Sequence, residues 1–432
     1  MNRCLRFLIN SALISVVALA LLPFPAGSIA SAQKATLERD RSRGQIMLDR
    51  IREDLESHYY DPTFHGMDLD LRFKTAAERI KRAASVGEIF GIIAQAMVDL
   101  NDSHTYFIPP SRSTKTDYGW TMQIVGDRCF VASVDEDSDP ALKGVKPGDE
   151  IVDAAGYKLE RRNLWKFQYL YNVLRPTSAL RVTLKTPTGE QRQLELLAKT
   201  KTGKKVVELT SGYIRKARKA GDSGRDQFKS FDDQLLIWKM NEFDLTDGEV
   251  DKAIARARKH QTLILDLRGN GGGLLHTTLR LLSYLVERDV KVADSVTRQE
   301  KIPVVVKARS EKNFTGRLIV LVDSRSASAS EVFARVIQLE KRGVVVGDQT
   351  AGAVTASRRF VYEIATEDRT MIFFESSITV SDLIMSDGKS LEHHGVIPDE
   401  VRLPSPGDLA ADRDVVLSYA ASLAGVTADV TR

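Results

Sequence analysis

The N-terminal part of the chain repeats apolar residues at helical spacing. Residues 35–97 place apolar side chains three or four positions apart, for example at Ile51 and Leu55, which predicts amphipathic helices. A second helical pattern at 86–100 follows the segment 85–88, Ser-Val-Gly-Glu, which has the spacing of a helix capping box. We therefore expect a small N-terminal helical bundle.

Residues 118–197 instead alternate short strand-like runs with turn-forming residues, which predicts a β-rich domain. The runs are Thr121–Val125, Cys129–Val134, Glu150–Ala154, Leu180–Leu184 and Gln193–Leu197. A polar stretch at 201–232, rich in Lys, Ser, Gly and Asp, predicts a linker or mobile loop.

Strand-like and helical patterns alternate along the rest of the chain, which predicts an α/β core within a mixed α/β (α+β) fold. We expect strands at Leu235–Met240, Leu263–Leu267, Leu318–Val322, Val344–Val346, Phe360–Ile364 and Met371–Ile378, the last two paired. We expect helices at Gly248–Lys259, Leu274–Val286, Glu331–Glu340 and Leu409–Leu423. The expected domains are a leader at 1–32, a helical region at 33–115, a β-rich domain at 116–200, a linker at 201–232, a core at 233–405 and a C-terminal helix and tail at 406–432.

The N-terminus has the features of a secretory signal peptide. Arg3 and Arg6 precede the apolar stretch Phe7–Pro23, and the small residues at 30–32 predict cleavage after Ala32. We expect an exported protein, periplasmic or extracellular, with no stable membrane span after cleavage; a retained leader would instead leave the chain associated with the membrane. Cleavage also leaves a single cysteine, so that no intrachain disulfide can form.

Composition excludes several classes of protein. The 432 residues are 43% hydrophobic and 28% charged, which excludes a fibrous or wholly disordered chain. The formal net charge is +4, and no basic run is dense enough to predict nucleic-acid binding. The histidines are scattered without metal-ligand spacing, so we expect neither a metal site nor a cofactor.

Two turns in the core carry candidate chemistry. Ser326–Ser330, the run Ser-Ala-Ser-Ala-Ser, joins a strand to a helix and suits either a nucleophilic serine or a helix cap. The glycine turn Gly269–Gly273 exposes backbone N–H groups that could bind a phosphate, stabilise an oxyanion or serve only the turn. The spacing of nucleotide-binding motifs is absent. Before these turns, His104 stands at the end of a predicted helix, as a base or as a capping residue.

The segment 141–151, with Gly144, Pro147-Gly148-Asp149 and Ile151, resembles the signature of a PDZ domain. The resemblance implies that this domain captures a peptide as an added strand and holds its terminal carboxylate in a backbone nest. Residues Tyr118, Gly119, Trp120 and Thr121 are the candidate nest. The alternative is a module that only packs against the core or gates it.

The glycine turn and the serine segment, separated by a strand, together resemble the carboxy-terminal processing (tail-specific) serine proteases, a family that includes the tricorn protease. The resemblance runs from the helical N-terminus to Pro404 and implies a core of the ClpP/crotonase-like type. It makes Ser328 the nucleophile. It also makes the N–H groups of Ala329 and Gly272 the oxyanion hole.

One position departs from the family pattern. Many members use a lysine as the base, in a loop whose counterpart here is 347–353, and Ala353 stands in the place of that lysine. The tricorn branch uses a histidine and a glutamate instead, which match His104 and Glu392, with Ser103 in the relay between them. The remaining candidate bases, His393 and His394, lie in a polar turn.

These features predict an exported serine endopeptidase that hydrolyses extended or unfolded polypeptides. A non-catalytic peptide- or ligand-binding protein on the same scaffold is the alternative, because one fold hosts many functions. A hydrolase of non-peptide esters or lactams would use the same chemistry.

Overall fold

A computed structural model describes residues 26–111, 114–202, 226–309, 312–366 and 371–426. Most of the expected leader, residues 1–25, lies outside the described residues, and residues 26–32 form the first turns of a long helix. In the part of the chain that is described, no helix is both long enough and apolar enough to cross a membrane. The predicted mixed α/β fold class is confirmed.

The N-terminal helices form a bundle. They are α1 (Ala26–His58), α2 (Leu69–Ile80) and α3 (Val86–Val98), with a 3₁₀ turn at Phe64–Gly66. Ser85 accepts a hydrogen bond from the Glu88 N–H at the start of α3, as the capping motif predicts. Buried side chains of all three helices pack with Phe374 of the core, so the bundle is anchored to it.

The β-rich domain is a five-stranded antiparallel sheet. Its strands follow chain order: β3 (Trp120–Val125), β4 (Arg128–Val134), β5 (Glu150–Ala154), β6 (Ala179–Lys185) and β7 (Gln191–Leu197). Two short helices, α4 (Asp139–Leu142) and α5 (Leu164–Tyr169), accompany the sheet, and a π turn at Leu170–Leu174 continues α5. A ribbon of β2 (Thr114–Asp117) and β8 (Lys199–Thr202) lies where the chain enters and leaves the domain.

The main sheet of the core has six strands. In spatial order they are β18 (Glu400–Val401), β15 (Val344–Gly347), β14 (Arg317–Val322), β11 (Thr262–Asp266), β10 (Leu235–Lys239) and β9 (Gln227–Phe231). All neighbours are parallel except β9, which pairs antiparallel with β10. The apolar runs predicted as buried strands are therefore covered on both faces, as parallel sheets require.

Helices cover this sheet on both sides. One face packs against α6 (Asp247–Ala257), α7 (Leu275–Ser283) and α8 (Ala329–Leu339). The other face packs against a C-terminal helix through Val416, Ala420 and Ala421. Each of the three covering helices follows a strand of the sheet, so the turns between them define one edge of the core.

A second, antiparallel sheet links the core to the helical bundle. It contains β1 (Tyr106–Ile108), β12 (Val290–Thr297), β13 (Lys301–Val306), β16 (Ala356–Ala365) and β17 (Met371–Met385). The predicted pairing of the two long strands β16 and β17 is confirmed. Strand β1 pairs with Glu375–Ser377 of β17, and this pairing brings the residues just before β1 to the core.

Two sequence predictions about the ends of the core are wrong. The expected single helix 409–423 is two helices, α9 (Pro406–Ala410) and α10 (Val415–Leu423), because Asp412 adopts a positive φ and Asp414 caps a new helix. The expected linker 201–232 includes the end of β8 and the whole of β9, where the aromatic ring of Phe228 stacks on Trp238. Residues 203–225 of that linker lie outside the described residues.

Candidate active site

The candidate residues of the core lie where parallel strands end. Strand β11 pairs directly with β14, and β14 pairs with β15. The glycine turn follows β11, the serine segment follows β14, and the loop 348–353 follows β15. Carboxyl ends of adjacent parallel strands open at one edge of a sheet, which is where such folds place their sites.

The three serines of the Ser-Ala-Ser-Ala-Ser run differ in what their hydroxyl groups do. Ser326 is fully buried and donates to the Leu267 carbonyl at 2.8 Å. Ser330 is also fully buried and donates to the Asn270 carbonyl at 3.0 Å. Both therefore fasten the serine segment to the glycine turn. Ser328, between them, is the partly exposed one.

Ser328 stands on a strained turn. Its backbone has φ +54° and ψ −116°, a conformation that a side-chain-bearing residue rarely adopts. Helix α8 starts at the next residue, so the hydroxyl sits beside the partly positive end of that helix. A strained strand-to-helix turn that exposes a serine at the edge of a sheet is the arrangement of a nucleophile elbow.

The glycine turn approaches this elbow very closely. A Cβ atom on Gly272 would lie 2.7 Å from the Ser328 Cβ and 3.0 Å from the Ala329 nitrogen, so only glycine fits. The Gly272 N–H donates to the side-chain oxygen of Asn270 at 2.9 Å. Of the two N–H groups assigned to the oxyanion hole, that of Gly272 is thus engaged within its own turn, and that of Ala329 opens helix α8.

The predicted base and its partners are joined by short hydrogen bonds. Ser103 Oγ lies 2.7 Å from His104 Nδ1 and donates to Glu392 Oε2 at 3.0 Å, and the Ser103 N–H donates to Glu392 Oε1 at 2.7 Å. The structure therefore places Ser103 between the other two. His104 and Glu392 interact through Ser103 in the hydrogen bonds of the described residues.

This network selects one form of the imidazole. A carboxylate only accepts hydrogen bonds, so the Ser103 hydroxyl hydrogen points to Glu392 and its lone pair faces His104 Nδ1. Nδ1 then carries the hydrogen, which leaves Nε2 free to accept a proton. Burial lowers the pKa of His104 below its usual value, and the charge of Glu392 only partly opposes this, so the imidazole is neutral at neutral pH.

Backbone hydrogen bonds connect Ser328 to Glu392, the carboxylate next to His104. No hydrogen bond among the described residues joins Ser328 directly to His104. The Ser328 N–H donates to the Ala353 carbonyl at 2.8 Å, and the N–H of the following Val354 donates to Glu392 Oε2 at 2.8 Å. The nucleophile candidate and the carboxylate next to the base candidate are thus bound to two neighbouring residues of one loop.

Sequence reasoning missed Asp102, a buried carboxylate beneath the histidine. It accepts hydrogen bonds from the N–H groups of His104 and Thr105 at 3.0 and 2.7 Å. It also accepts from the hydroxyls of Tyr59 and Thr379 at 2.8 and 2.7 Å. One sequence signal could have indicated this role: an Asp two residues before the candidate histidine, in a short polar segment, favours a turn in which the Asp side chain accepts backbone N–H groups.

The rival bases occupy other positions. His393 Nε2 lies 2.7 Å from the Asn101 carbonyl, so this half-exposed ring ties the turn of Glu392 to the histidine segment. His394 is exposed, with Nδ1 2.8 Å from the Glu392 carbonyl. Lys389 is exposed in a turn that follows β17. Within the described ranges, no group of three or more His, Cys, Asp or Glu residues is placed to hold a metal ion.

The candidate peptide nest leads into β3, at one edge of the β-rich sheet. Tyr118 is buried, and the Gly119 N–H donates to Asp117 at 3.1 Å. Trp120 and Thr121 begin β3 and pair with β4. The open side of this strand meets the core, where Ser324 Oγ donates to the carbonyl of Ile124 at 2.5 Å.

An ion pair also joins the β-rich domain to the core. Arg161 pairs with Asp348 at 3.1 Å and donates to the Gln349 carbonyl at 2.6 Å. Asp348 also accepts from the Gly126 N–H at 2.9 Å. The β-rich domain therefore touches both the segment before Ser328 and the loop that ends at Ala353.

The core matches a known family of peptidases. Residues 234–402, from β10 to β18, match the model of Peptidase family S41. The match covers five of the six strands of the main sheet and the loops that carry Ser328 and Glu392. The core is similar to that of family S41, and the predicted resemblance of the chain to the carboxy-terminal processing proteases is confirmed.

Curated relatives extend the similarity beyond the core. The chain is 24% identical over 355 residues to the tail-specific protease of Haemophilus influenzae, covering 77% of this chain and 48% of that protein. It is 23% identical over 423 residues to the carboxy-terminal processing protease CtpA of Bacillus subtilis, covering 94% and 80%. Against the first relatives it matches, the chain spans about half of their length, 52% and 48%.

Solved structures share the fold. Mature CPAF, crystallised with lactacystin, superposes with a TM-score of 0.65 at 15% identity, over 89% of this chain and 98% of the other. The photosystem II D1 C-terminal processing protease gives a TM-score of 0.51 at 19% identity, over 90% and 98%. At these identities the likeness concerns the fold alone.

Proposed function

We propose that the chain is an exported serine endopeptidase in which Ser328 attacks the peptide bond and His104 is the base. The observation that carries the proposal is the hydrogen-bonded set His104–Ser103–Glu392, in which Glu392 binds the N–H of Val354, the residue next to the Ala353 that binds the Ser328 backbone. A serine hydroxyl is a weak nucleophile without such a base.

The chemistry follows from the tautomer. His104 Nε2 takes the hydroxyl proton as Ser328 Oγ bonds to the carbonyl carbon, and the imidazolium formed is stabilised through Ser103 by the charge of Glu392. The same proton then passes to the leaving amine, which departs and leaves an acyl-Ser328. A water molecule, deprotonated by His104, releases the acid and restores Ser328.

The developing oxyanion needs N–H donors close to Ser328. The Ala329 N–H opens α8 directly after Ser328, which supports its assignment as one donor. The Gly272 N–H would join it on exchanging its present partner, the Asn270 side chain. Removal of one such donor costs about 100-fold or more in kcat in other serine hydrolases.

The base assignment puts the chain with the Ser/His/Glu branch of its family rather than the Ser–Lys branch. The loop that would carry the lysine ends in Ala353, whose methyl group cannot accept a proton. Lys389 lies in an exposed turn elsewhere. Glu392 accepts the Val354 N–H, one residue beyond the lysine position, so its carboxylate is held next to the place that the lysine would occupy.

The substrate we propose is an extended or unfolded polypeptide. The β-rich domain would act as a PDZ-like module that docks the substrate or regulates the core. Its contacts with Ser324 and Asp348, in the segments that lead to Ser328 and Ala353, support the regulatory role. Relatives named tail-specific and carboxy-terminal processing proteases support the same substrate class. The basic and apolar N-terminus supports export by a cleaved leader.

A non-catalytic binding protein is the second candidate, favoured by one observation: the family lysine is missing. Labelling with a serine-reactive phosphonate, located by mass spectrometry, separates the two. We expect the adduct on Ser328, lost in His104→Ala and retained in Lys389→Ala, together with cleavage of a denatured protein. Absence of labelling and of cleavage between pH 6 and 9 would contradict the peptidase and leave the binding alternative in front.

A further inference from the structure

Glu331 is a fully buried carboxylate that the mechanism above does not use. It lies in the first turn of α8, three residues after Ser328, and has no exposed surface. Burial raises its pKa to about 7, against the opposing effect of its hydrogen bonds. A buried carboxyl group is costly unless donors satisfy it, so its partners indicate what it holds.

Each oxygen of Glu331 accepts two hydrogen bonds. Oε1 accepts from the Thr350 hydroxyl at 2.5 Å and from the Gly352 N–H at 2.7 Å. Oε2 accepts from the Ala353 N–H at 2.9 Å and from the Ser328 N–H at 3.0 Å. One carboxylate therefore ties the backbone of the nucleophile to the loop in which alanine replaces the family lysine.

A second carboxylate holds the next residue of the same loop. Gly352 and Ala353 donate their N–H groups to Glu331, and Val354 donates its own to Glu392. We call these three residues, Gly352–Val354, the backbone bridge. The bridge also accepts: the Ala353 carbonyl takes the Ser328 N–H, and the Gly352 carbonyl takes the His393 N–H, both at 2.8 Å.

We infer that Glu331 is a positioning residue whose carboxylate fixes the backbone bridge and so sets the distance between Ser328 and His104. The inference rests on the proposed function. Ser328 is bound to the middle residue of the bridge, Ala353, and Glu392, which orients His104 through Ser103, is bound to its last residue, Val354. A shift of the bridge therefore moves nucleophile and base relative to each other.

The test is Glu331→Gln, assayed on a denatured protein and by phosphonate labelling of Ser328. The amide nitrogen cannot accept, so at least one backbone N–H loses its acceptor whichever way the side chain turns. We expect kcat and the labelling rate to fall about 100-fold, the usual penalty of a misplacement of about 1 Å, while KM changes little. Glu340→Gln, at the far end of the same helix, is the matched control and should keep the wild-type rate.

A conservative pair at Thr350 makes the test independent of how well Glu331→Gln folds. Thr350→Val removes a donor to Glu331 and should lower kcat about tenfold, as expected for one hydrogen bond to a charged acceptor, whereas Thr350→Ser keeps the hydroxyl and should recover most of the rate. Hydrogen exchange provides a readout without activity: the amides of the backbone bridge should exchange faster in Glu331→Gln, and those of β11 should not.

Two outcomes would overturn the inference. One is a Glu331→Gln protein with wild-type kcat, labelling rate and amide protection; the other is an equal loss of rate in Thr350→Val and Thr350→Ser. Failure of the proposed function looks different. The wild-type Ser328 would then resist labelling, while the exchange of the bridge amides would still report whether Glu331 holds the bridge.

Discussion

The two halves of the candidate site are each built around a buried carboxylate, and the two carboxylates are satisfied differently. On the histidine side, Asp102 Oδ1 takes the N–H groups of His104 and Thr105 and one hydroxyl, whereas its Oδ2 takes only the Tyr59 hydroxyl. On the serine side, both oxygens of Glu331 receive backbone N–H groups.

This difference decides what each side can tolerate. A hydroxyl can turn from donor to acceptor, but a backbone N–H cannot. An amide in place of Asp102 would therefore still find partners, with its nitrogen toward Tyr59. An amide in place of Glu331 would face an N–H donor on either side. The serine half of the site therefore tolerates fewer substitutions of its carboxylate. This fits its role of holding Ser328 at a strained φ of +54°.

The largest effect on stability is expected on the histidine side, from Asp102→Ala. This change leaves two buried hydroxyls and two backbone N–H groups without their acceptor, so the free energy of unfolding should fall by about 3 kcal/mol. Urea denaturation measures it. The matched variant Asp102→Asn should lose less than about 1 kcal/mol, because the oxygen with three donors is kept. Equal losses in the two variants would remove the contrast with Glu331.

A smaller effect, on rate rather than stability, is expected from Ser103→Ala. The change breaks the link between His104 Nδ1 and Glu392, so the imidazole loses the partner that fixes its tautomer. We expect kcat on a denatured protein to fall about 100-fold, as for loss of general-base assistance, with KM nearly unchanged. Ser57→Ala, on an exposed helical serine, is the control. Wild-type kcat in Ser103→Ala would show that Glu392 does not act through this hydroxyl.

Much of the fold could be predicted because its apolar pattern is strong. The buried runs 263–267 and 318–322 correspond to the parallel strands β11 and β14, and the capped segment 86–100 contains helix α3. Less predictable were elements with weak or mixed patterns. Strands β12 and β13 contain charged residues and a proline, and helix α5 lies in a region that otherwise alternates like strands.

The catalytic candidates of the site could be predicted from the sequence, but the hydrogen bonds that hold them in place could not. Ser328, His104 and Glu392 stand in motifs that a short segment of sequence reveals. The bonds that hold them together span the chain: Ser103 and Glu392 are 289 positions apart, and Asp102 and Thr379 are 277 apart. These pairs form because β1 pairs with β17. A strand of only three residues is too short for this pairing to be predicted from the sequence. The sequence predicts Glu331 only as the start of a helix, because three of its four donors lie 19 to 22 positions further along the chain.

The central claim, that the imidazole of His104 activates Ser328 where the family lysine is missing, is tested most directly by the rate of Ser328 phosphonate labelling against pH. His104 acts as a base only when neutral, and Glu331 holds the backbone bridge only as a carboxylate. The wild-type rate should therefore be constant at high pH, begin to fall near the Glu331 pKa of about 7, and fall further below the pKa of His104, which burial lowers. In His104→Ala the rate should collapse. Added imidazole should restore part of it, with a pH profile that follows the ionisation of the added imidazole. A His104→Ala protein that labels Ser328 at the wild-type rate without imidazole would contradict the claim.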